Sequence, residues 1–400
     1  MNIPLTNISG NLIRLDSIIM DDGAAVAGDA SSTPRVENAR APRSVVSASS
    51  GKFTICRGMN SQLTARTMED IVVVSTIKRG EKYVCTGTLL SEPYKAIVLQ
   101  VHEDGTILKK KTYGDNSSGY EAHHLISMDD GFLVCGCSKG FPSDTGGKDW
   151  KAYLLRIDEN FDTFWERSYR FLGNECFYSV IEDDGFVLFG QSRGEDGEEN
   201  VIVVKCDSTG NLIWKREILS AKNVLAGGIS KVDDGYIVIF SGGDEDGWSN
   251  YFAVLDKDGV TRFEKHIGAT KILDICPTPD SIYMTGSEGE DLKVICCSKD
   301  GTIHWETEYS KGNGVCISSF NGYLLVGGEI KRGGSTVPVL INLDTLGSIK
   351  LVKEYDCEGW IESFIDTDYG YLLFIYRGLP REHTCTLRVD RNGVLMGDPE

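Results

Sequence analysis

Side chains able to do chemistry stand in adjacent pairs along this chain. Asp129–Asp130, Asp183–Asp184 and Asp233–Asp234 are three sets of neighbouring carboxylates, a grouping used for general acid–base work or for holding a hard cation. His123–His124 brings two imidazoles together and Cys296–Cys297 two thiols. The loop "DEDGWSN" from Asp244 has the acidic character of a calcium loop.

A non-catalytic explanation competes with each. The aspartate pairs recur at one place in a repeated phrase and precede a glycine, where turn chemistry needs them. Neighbours on a strand face opposite ways, so His123 and His124 are poorly placed to chelate together, and a structural histidine is expected. "DEDGWSN" lacks the alternating ligands and terminal glutamate of an EF-hand. No cysteines form CxxC, and none stands at zinc-like spacing from a histidine. GxSxG, Walker and dinucleotide patterns are absent in a matching context. The expectation is therefore no catalytic set, no metal and no cofactor.

The elements that carry these residues are set by a repeat. "GFLVCG" ending at Gly136 returns as "GFVLFG" at Gly190, "KYVCTG" at Gly87, "GYIVIF" at Phe240, "SIYMTG" at Gly286, "GYLLVG" at Gly327 and "GYLLFI" at Ile375, with "GAAVAG" at Gly28 the weakest copy. Spacings of 41 to 59 residues suit propeller blades better than solenoid turns. Alternate residues are apolar on both faces, so these strands are expected between packed sheets, with the anchor glycine where strands crowd together. A strand ending in an Asp-Gly turn precedes each anchor, as in "HHLISMDDG". Two further strands follow, as in "VIVVKCDSTGNLIWKREI", giving four per unit. Their connecting turn holds Asp158, Asp207, Asp256, Asp344 and Asp390 in one aligned position. Seven residues later stand Trp165, Trp214, Phe263 and Trp305, expected to pack on the adjacent blade.

"DSTGNLIWKREI" at 207–218 resembles the tryptophan-docking repeat of the PQQ-like (quinoprotein-type) β-propeller superfamily. The resemblance implies a propeller, often of eight blades, and covers both quinone-dependent dehydrogenases and non-catalytic scaffolds. It also implies a comparison for Cys296–Cys297, because some quinoproteins set a vicinal disulfide against their cofactor. The expected fold is all-β: one propeller over residues 1–400, built of four-stranded antiparallel blades. Eight blades are expected, the weakest over 11–58 and the clear ones over 70–400; the alternative is seven plus an N-terminal extension. The last outer strand, "GVLMGDPE", is short, so N-terminal residues are expected to complete it and remove an exposed edge.

Long connections alternate with short ones. The second-to-third and blade-to-blade connections hold "DASSTPRVENARAPR" (29–43), "SKGFPSDTGGKDW" (138–150), "SRGEDGEEN" (192–200), "SGGDEDGWSN" (241–250) and "EIKRGGSTV" (329–337), all on one face of the disc. Insertions confined to one face mark a binding face. There Trp150 and Trp248 fall outside the repeat pattern, near Asp149, Asp244 and Asp246, while Trp360 opens the last blade at the channel mouth. These six residues are the expected contact set.

A net charge of −18 disfavours nucleic acid and anionic membranes as partners. The twelve cysteines sit mostly in apolar strand segments, as free thiols in a reducing compartment would, and no secretory signal opens the chain. The expectation is a cytoplasmic, non-enzymatic scaffold, a monomer or part of a complex, that presents a loop-rich acidic face to another protein. The competing reading is an enzyme of the quinoprotein dehydrogenase or glycan-processing type.

Overall fold

A computed structural model describes residues 66–140, 150–171, 173–194, 198–244, 247–378 and 382–397. Strand β1 (Arg66–Glu69) comes first. Blade one is β2 (Ile71–Arg79), β3 (Lys82–Leu89), β4 (Lys95–Val101) and β5 (Ile107–Tyr113). Blade two is β6 (Ser118–Met128), β7 (Gly131–Gly140), β8 (Trp150–Asp158) and β9 (Thr163–Tyr169). Blade three is β10 (Asn174–Glu182), β11 (Phe186–Arg193), β12 (Glu199–Cys206) and β13 (Leu212–Ala221). Blade four is β14 (Asn223–Val232), β15 (Gly235–Asp244), β16 (Gly247–Asp256) and β17 (Thr261–Gly268). Then follow β18 (Lys271–Pro277), β19 (Ile282–Glu288), β20 (Asp291–Cys297), β21 (Ile303–Phe320), β22 (Tyr323–Arg332), β23 (Ser335–Asp344) and β24 (Ile349–Glu354). The last are β25 (Trp360–Asp366), β26 (Gly370–Arg377) and β27 (His383–Asp390).

Pairing is antiparallel and sequential. The long strand β21 serves two blades: its first half closes blade five against β20, and its second half opens blade six against β22. Blade seven has only three strands of its own, and β1 supplies the fourth by pairing with β27, Arg66 opposite Thr386. N-terminal residues thus remove the exposed edge, as expected, but they take the place of the outer strand. Leu395 of "GVLMGDPE" makes only an isolated bridge to Val389.

Among the described residues the ring has seven blades, not eight. One apolar cluster fills each seam, and the last joins blade seven (Ile365, Leu372, Phe374) to blade one (Val73, Cys85, Leu99). Among the described residues no gap remains between these two blades for a further one. The weakest proposed blade, 11–58, lies outside the described residues. Among the described residues no helix is long and apolar enough to cross a membrane.

The turn chemistry appears as expected. The Asp207 carboxylate accepts from the Thr209 and Asn211 amides, and Asp158, Asp256, Asp344 and Asp390 accept from the amides two and four residues on. The outer-strand tryptophans dock on the next blade. Trp214 donates Nε1–H to the Lys257 carbonyl at 3.2 Å, and Trp305 to that of Thr345 at 3.0 Å. Phe263 departs from this, standing 43% exposed.

Candidate functional site

Each inner strand carries a β-bulge at the same register, and the bulge builds the site. In β6 the partners of β7 jump from Ala122 to His124, leaving His123 as the extra residue; in β10 they jump from Phe177 to Ser179, leaving Tyr178. The corresponding residues elsewhere are Val74, Gly227, Leu273, Val315 and Glu362. A bulge tilts the local backbone and re-aims a side chain. The anchor glycine permits it, because a Cβ on Gly136 would lie 2.0 Å from the Glu121 carbonyl oxygen, and one on Gly190 the same distance from that of Cys176. The crowding inferred for that glycine is present in these two blades, while blades four and seven carry the same bulge opposite Phe240 and Ile375.

Between blades two and three this geometry gathers Glu121, His123, Cys137 and Cys176, all buried. The ligand atoms of His123, Cys137 and Cys176 lie within 4.8 Å of one another. Cys137 Sγ is 3.7 Å from His123 Nε2 and 3.8 Å from Glu121 Oε2, and the last two atoms are 3.6 Å apart. Tyr178 packs its ring on His123 at 5.1 Å, and Trp150 closes over both thiols. Burial pushes the Cys176 thiol up, but hydrogen bonds from Cys137, His123 and Tyr178 and the charge of His123 outweigh it and bring the group down to about 6. Burial and the neighbouring Cys176 and Glu121 hold Cys137 well above the usual thiol range.

No cysteine stands at zinc-like sequence spacing from a histidine, yet the fold brings His123, Cys137 and Cys176 together. Sequence spacing was the wrong measure, since the three residues come from three strands of two blades. A signal was available in the repeat: the three occupy the bulge position, the residue after the anchor glycine, and the position two before the next blade's bulge. Applied to the other seams, that template gives sets such as Tyr178, Gln191 and Leu225. His124, by contrast, is the structural histidine that was expected, its Nδ1 accepting from the Val180 amide at 3.2 Å.

The tryptophans of the long-loop face separate into two groups. Trp248 and Trp360 meet in one apolar cluster with Leu225, Leu273 and Val315, contributed by the inner strands of blades four, five and six. Trp248 is half-buried and takes the Lys271 ammonium 5.1 Å above its ring. Trp360 is half-buried, packs on Tyr376 at 4.4 Å with the rings tilted by 40°, and donates Nε1–H to Glu362 at 2.7 Å. Burial raises the Glu362 carboxyl to about 7 against the pull of the Trp360 hydrogen bond and of His123. Trp150, expected as a surface contact, is instead only 8% exposed and belongs to the cysteine cluster. Asp149 and Asp246, and the side chain of Asp244, lie outside the described residues.

Two further expectations meet structural detail. Cys296 and Cys297 point into apolar clusters on opposite sides of blade five and are both free thiols, so they form core rather than a vicinal pair. The most exposed apolar side chains lie away from the long-loop face. Leu108, Phe164, Ile213, Val260, Leu346 and Val394 ring the third-to-fourth turns, with Leu346 at 78%.

No protein-family model and no curated protein matches the chain. In structure it is similar to Drosophila semaphorin 2a, with 8% identity over 82% of this chain and 76% of that one, at a TM-score of 0.50. It is also similar to puromycin hydrolase, with 11% identity over 82% of this chain and 54% of the other, at 0.53. A puromycin-hydrolysing peptidase of Mycobacterium tuberculosis matches with 14% identity over 82% of this chain and 53% of its own, at 0.52. The chain thus spans about half the length of the two hydrolases. At these identities the likeness is one of fold alone, and that fold is the β-propeller.

Proposed function

We propose that the protein is a non-enzymatic binding propeller that receives another protein on its long-loop face, at the channel mouth. The observation that carries this reading is the meeting of Trp248 and Trp360 in one half-buried apolar cluster with Leu225, Leu273 and Val315. Neither tryptophan follows the docking repeat, and aromatic side chains seated in a partly desolvated pocket are typical anchors of protein recognition. The net charge of −18 favours a partner with basic residues around an apolar tip. Eleven free thiols among the described cysteines fit a reducing compartment such as the cytoplasm.

Partner capture tests the reading. The wild type, Trp248→Ala and, on the opposite face, Leu346→Ser are compared by affinity capture and then by direct titration with the purified partner. Binding lost in Trp248→Ala and kept in Leu346→Ser is expected. The reverse pattern would move the site to the exposed apolar residues at the third-to-fourth turns and overturn the proposal.

A second, enzymatic reading has one observation in its favour, the lowered Cys176 thiol beside His123. A nucleophile must also be reached by its substrate, whereas Cys176 is 8% exposed beneath Trp150. Rapid alkylation of Cys176 in the native protein would favour this reading. The quinone-dependent form of it drew on Cys296–Cys297, which the fold uses as core.

A further inference from the structure

We propose that His123, Cys137 and Cys176 bind a zinc-class cation, with Glu121 beside them as an outer partner, and that this site clasps blades two and three together. Zinc takes thiolate sulfur at ~2.3 Å and imidazole nitrogen at ~2.0–2.1 Å, so a tetrahedral centre demands donor-to-donor distances of about 3.3–3.8 Å. The distances across the cluster are 3.7 Å for Cys137–His123, 3.8 Å for Cys137–Glu121 and 3.6 Å for His123–Glu121. Cys176 completes the group from the neighbouring blade, its sulfur within 4.8 Å of the other two principal donors. Three donors from two blades thus converge on one buried point.

The chemistry of the donors points the same way. Two sulfurs and one imidazole suit a borderline-soft ion. All four side chains are buried, the carboxylate 1% exposed and the histidine 8%. A divalent cation would add its charge beside the buried Glu121 carboxylate. Binding displaces the thiol protons to solvent, so affinity rises with pH.

The site goes beyond the binding role proposed above and stands independently of it. Trp150 and Tyr178 pack against it, so a filled site would fix the seam and hold Trp150 in place. Its role is that of a staple added to the apolar packing and the hydrogen bonds that already join these two sheets.

Cobalt(II) titration of the full chain, purified with reductant and stripped with chelator, provides the test. The expected result is one equivalent bound, with the ligand-field bands of tetrahedral cobalt and thiolate-to-cobalt charge transfer, both erased by added zinc. Cys137→Ser, Cys176→Ser and His123→Gln each remove the charge-transfer signal or alter its ligand-field pattern, while Cys357→Ser leaves it unchanged. Glu121→Gln weakens zinc by ~10–100-fold, the usual effect of losing an outer or weaker donor. Circular dichroism confirms that each variant is folded, and His123→Gln, which keeps both thiols, serves if a cysteine variant is not. A folded wild type without the charge-transfer band overturns the proposal. So does an unchanged band in the Cys137→Ser and Cys176→Ser variants, or a Cys137–Cys176 disulfide found by thiol counting in the reductant-purified protein.

Discussion

The Tyr236 hydroxyl of blade four donates to Asp183 Oδ2 of blade three at 2.6 Å, across the seam between them. Lys205 Nζ lies 3.2 Å from the same oxygen, and Lys231 Nζ lies 2.5 Å from Oδ1. Burial would raise this carboxyl, yet the hydrogen bonds from Lys231, Tyr236 and Lys205 hold it well below the usual carboxylate range. Asp183 belongs to an aspartate pair in a turn, and the turn delivers it to a second task as a rivet between sheets. It is neither a catalytic carboxylate nor only a turn residue.

Asp183→Asn is expected to lose about 2–3 kcal/mol at neutral pH, as for a hydrogen-bonded charge deprived of its ion. The folded group titrates lower than the unfolded one. Its contribution is therefore present above about pH 4 and is lost as pH falls through the folded value. Urea unfolding at pH 7 and at pH 3 checks this: the gap between wild type and variant should narrow at the lower pH.

Gly259→Ala is expected to undo one tryptophan dock. The residue has φ +77°, and an added Cβ would lie 2.8 Å from the Trp214 ring. Overpacking and a left-handed backbone together cost about 1–3 kcal/mol. Trp214 fluorescence should shift as the ring loses its seat, and denaturant unfolding should show the loss. Gly289→Ala is the control at a glycine of similar φ with no neighbour within 4 Å; its smaller cost would isolate the steric part.

Asp274 links inner strands β18 and β21 by accepting from the Ile275 and Ile317 amides, both at 2.8 Å. Burial outweighs these bonds and raises its carboxyl to about 7. A raised acid is fully accommodated below its unfolded value near pH 4, and stability then falls as pH climbs towards 7. Over that window the wild type should lose on the order of 4 kcal/mol through this group. Asp274→Asn should remove that share of the slope, measured by urea unfolding from pH 4 to 8; an unchanged slope would show that the carboxyl ionises freely.

The pairing of β1 with β27 joins residues more than three hundred positions apart. A chain beginning at Ile71 lacks that strand, leaving the β27 edge open and the Met68 position vacant in the last seam. It is expected to aggregate or to unfold at lower denaturant than a chain beginning at Arg66, as an uncovered edge would. Met68→Ala in the full chain should cost about 2–4 kcal/mol by leaving a cavity.

What the sequence determined by itself is the local grammar. The period near fifty residues, the Asp-Gly turns and the docking tryptophans are written in short stretches, because turn geometry and strand alternation depend on neighbours a few residues apart. Asp207, Trp214 and Gly259 could be placed from the repeat alone. Tertiary structure decided how the ring closes and what meets across its seams. Among the described residues the ring closes by the packing of blade seven on blade one, which no local pattern encodes. Trp150 reads as a surface aromatic until its neighbours are known, and the structure buries it over two thiols. His123, Cys137 and Cys176 lie far apart in the chain, and only a bulge in one inner strand, a glycine in the next and the curvature of the ring bring their donor atoms together. A site assembled across a seam depends on the angle between two sheets, and that angle is set by all the side chains packed between them.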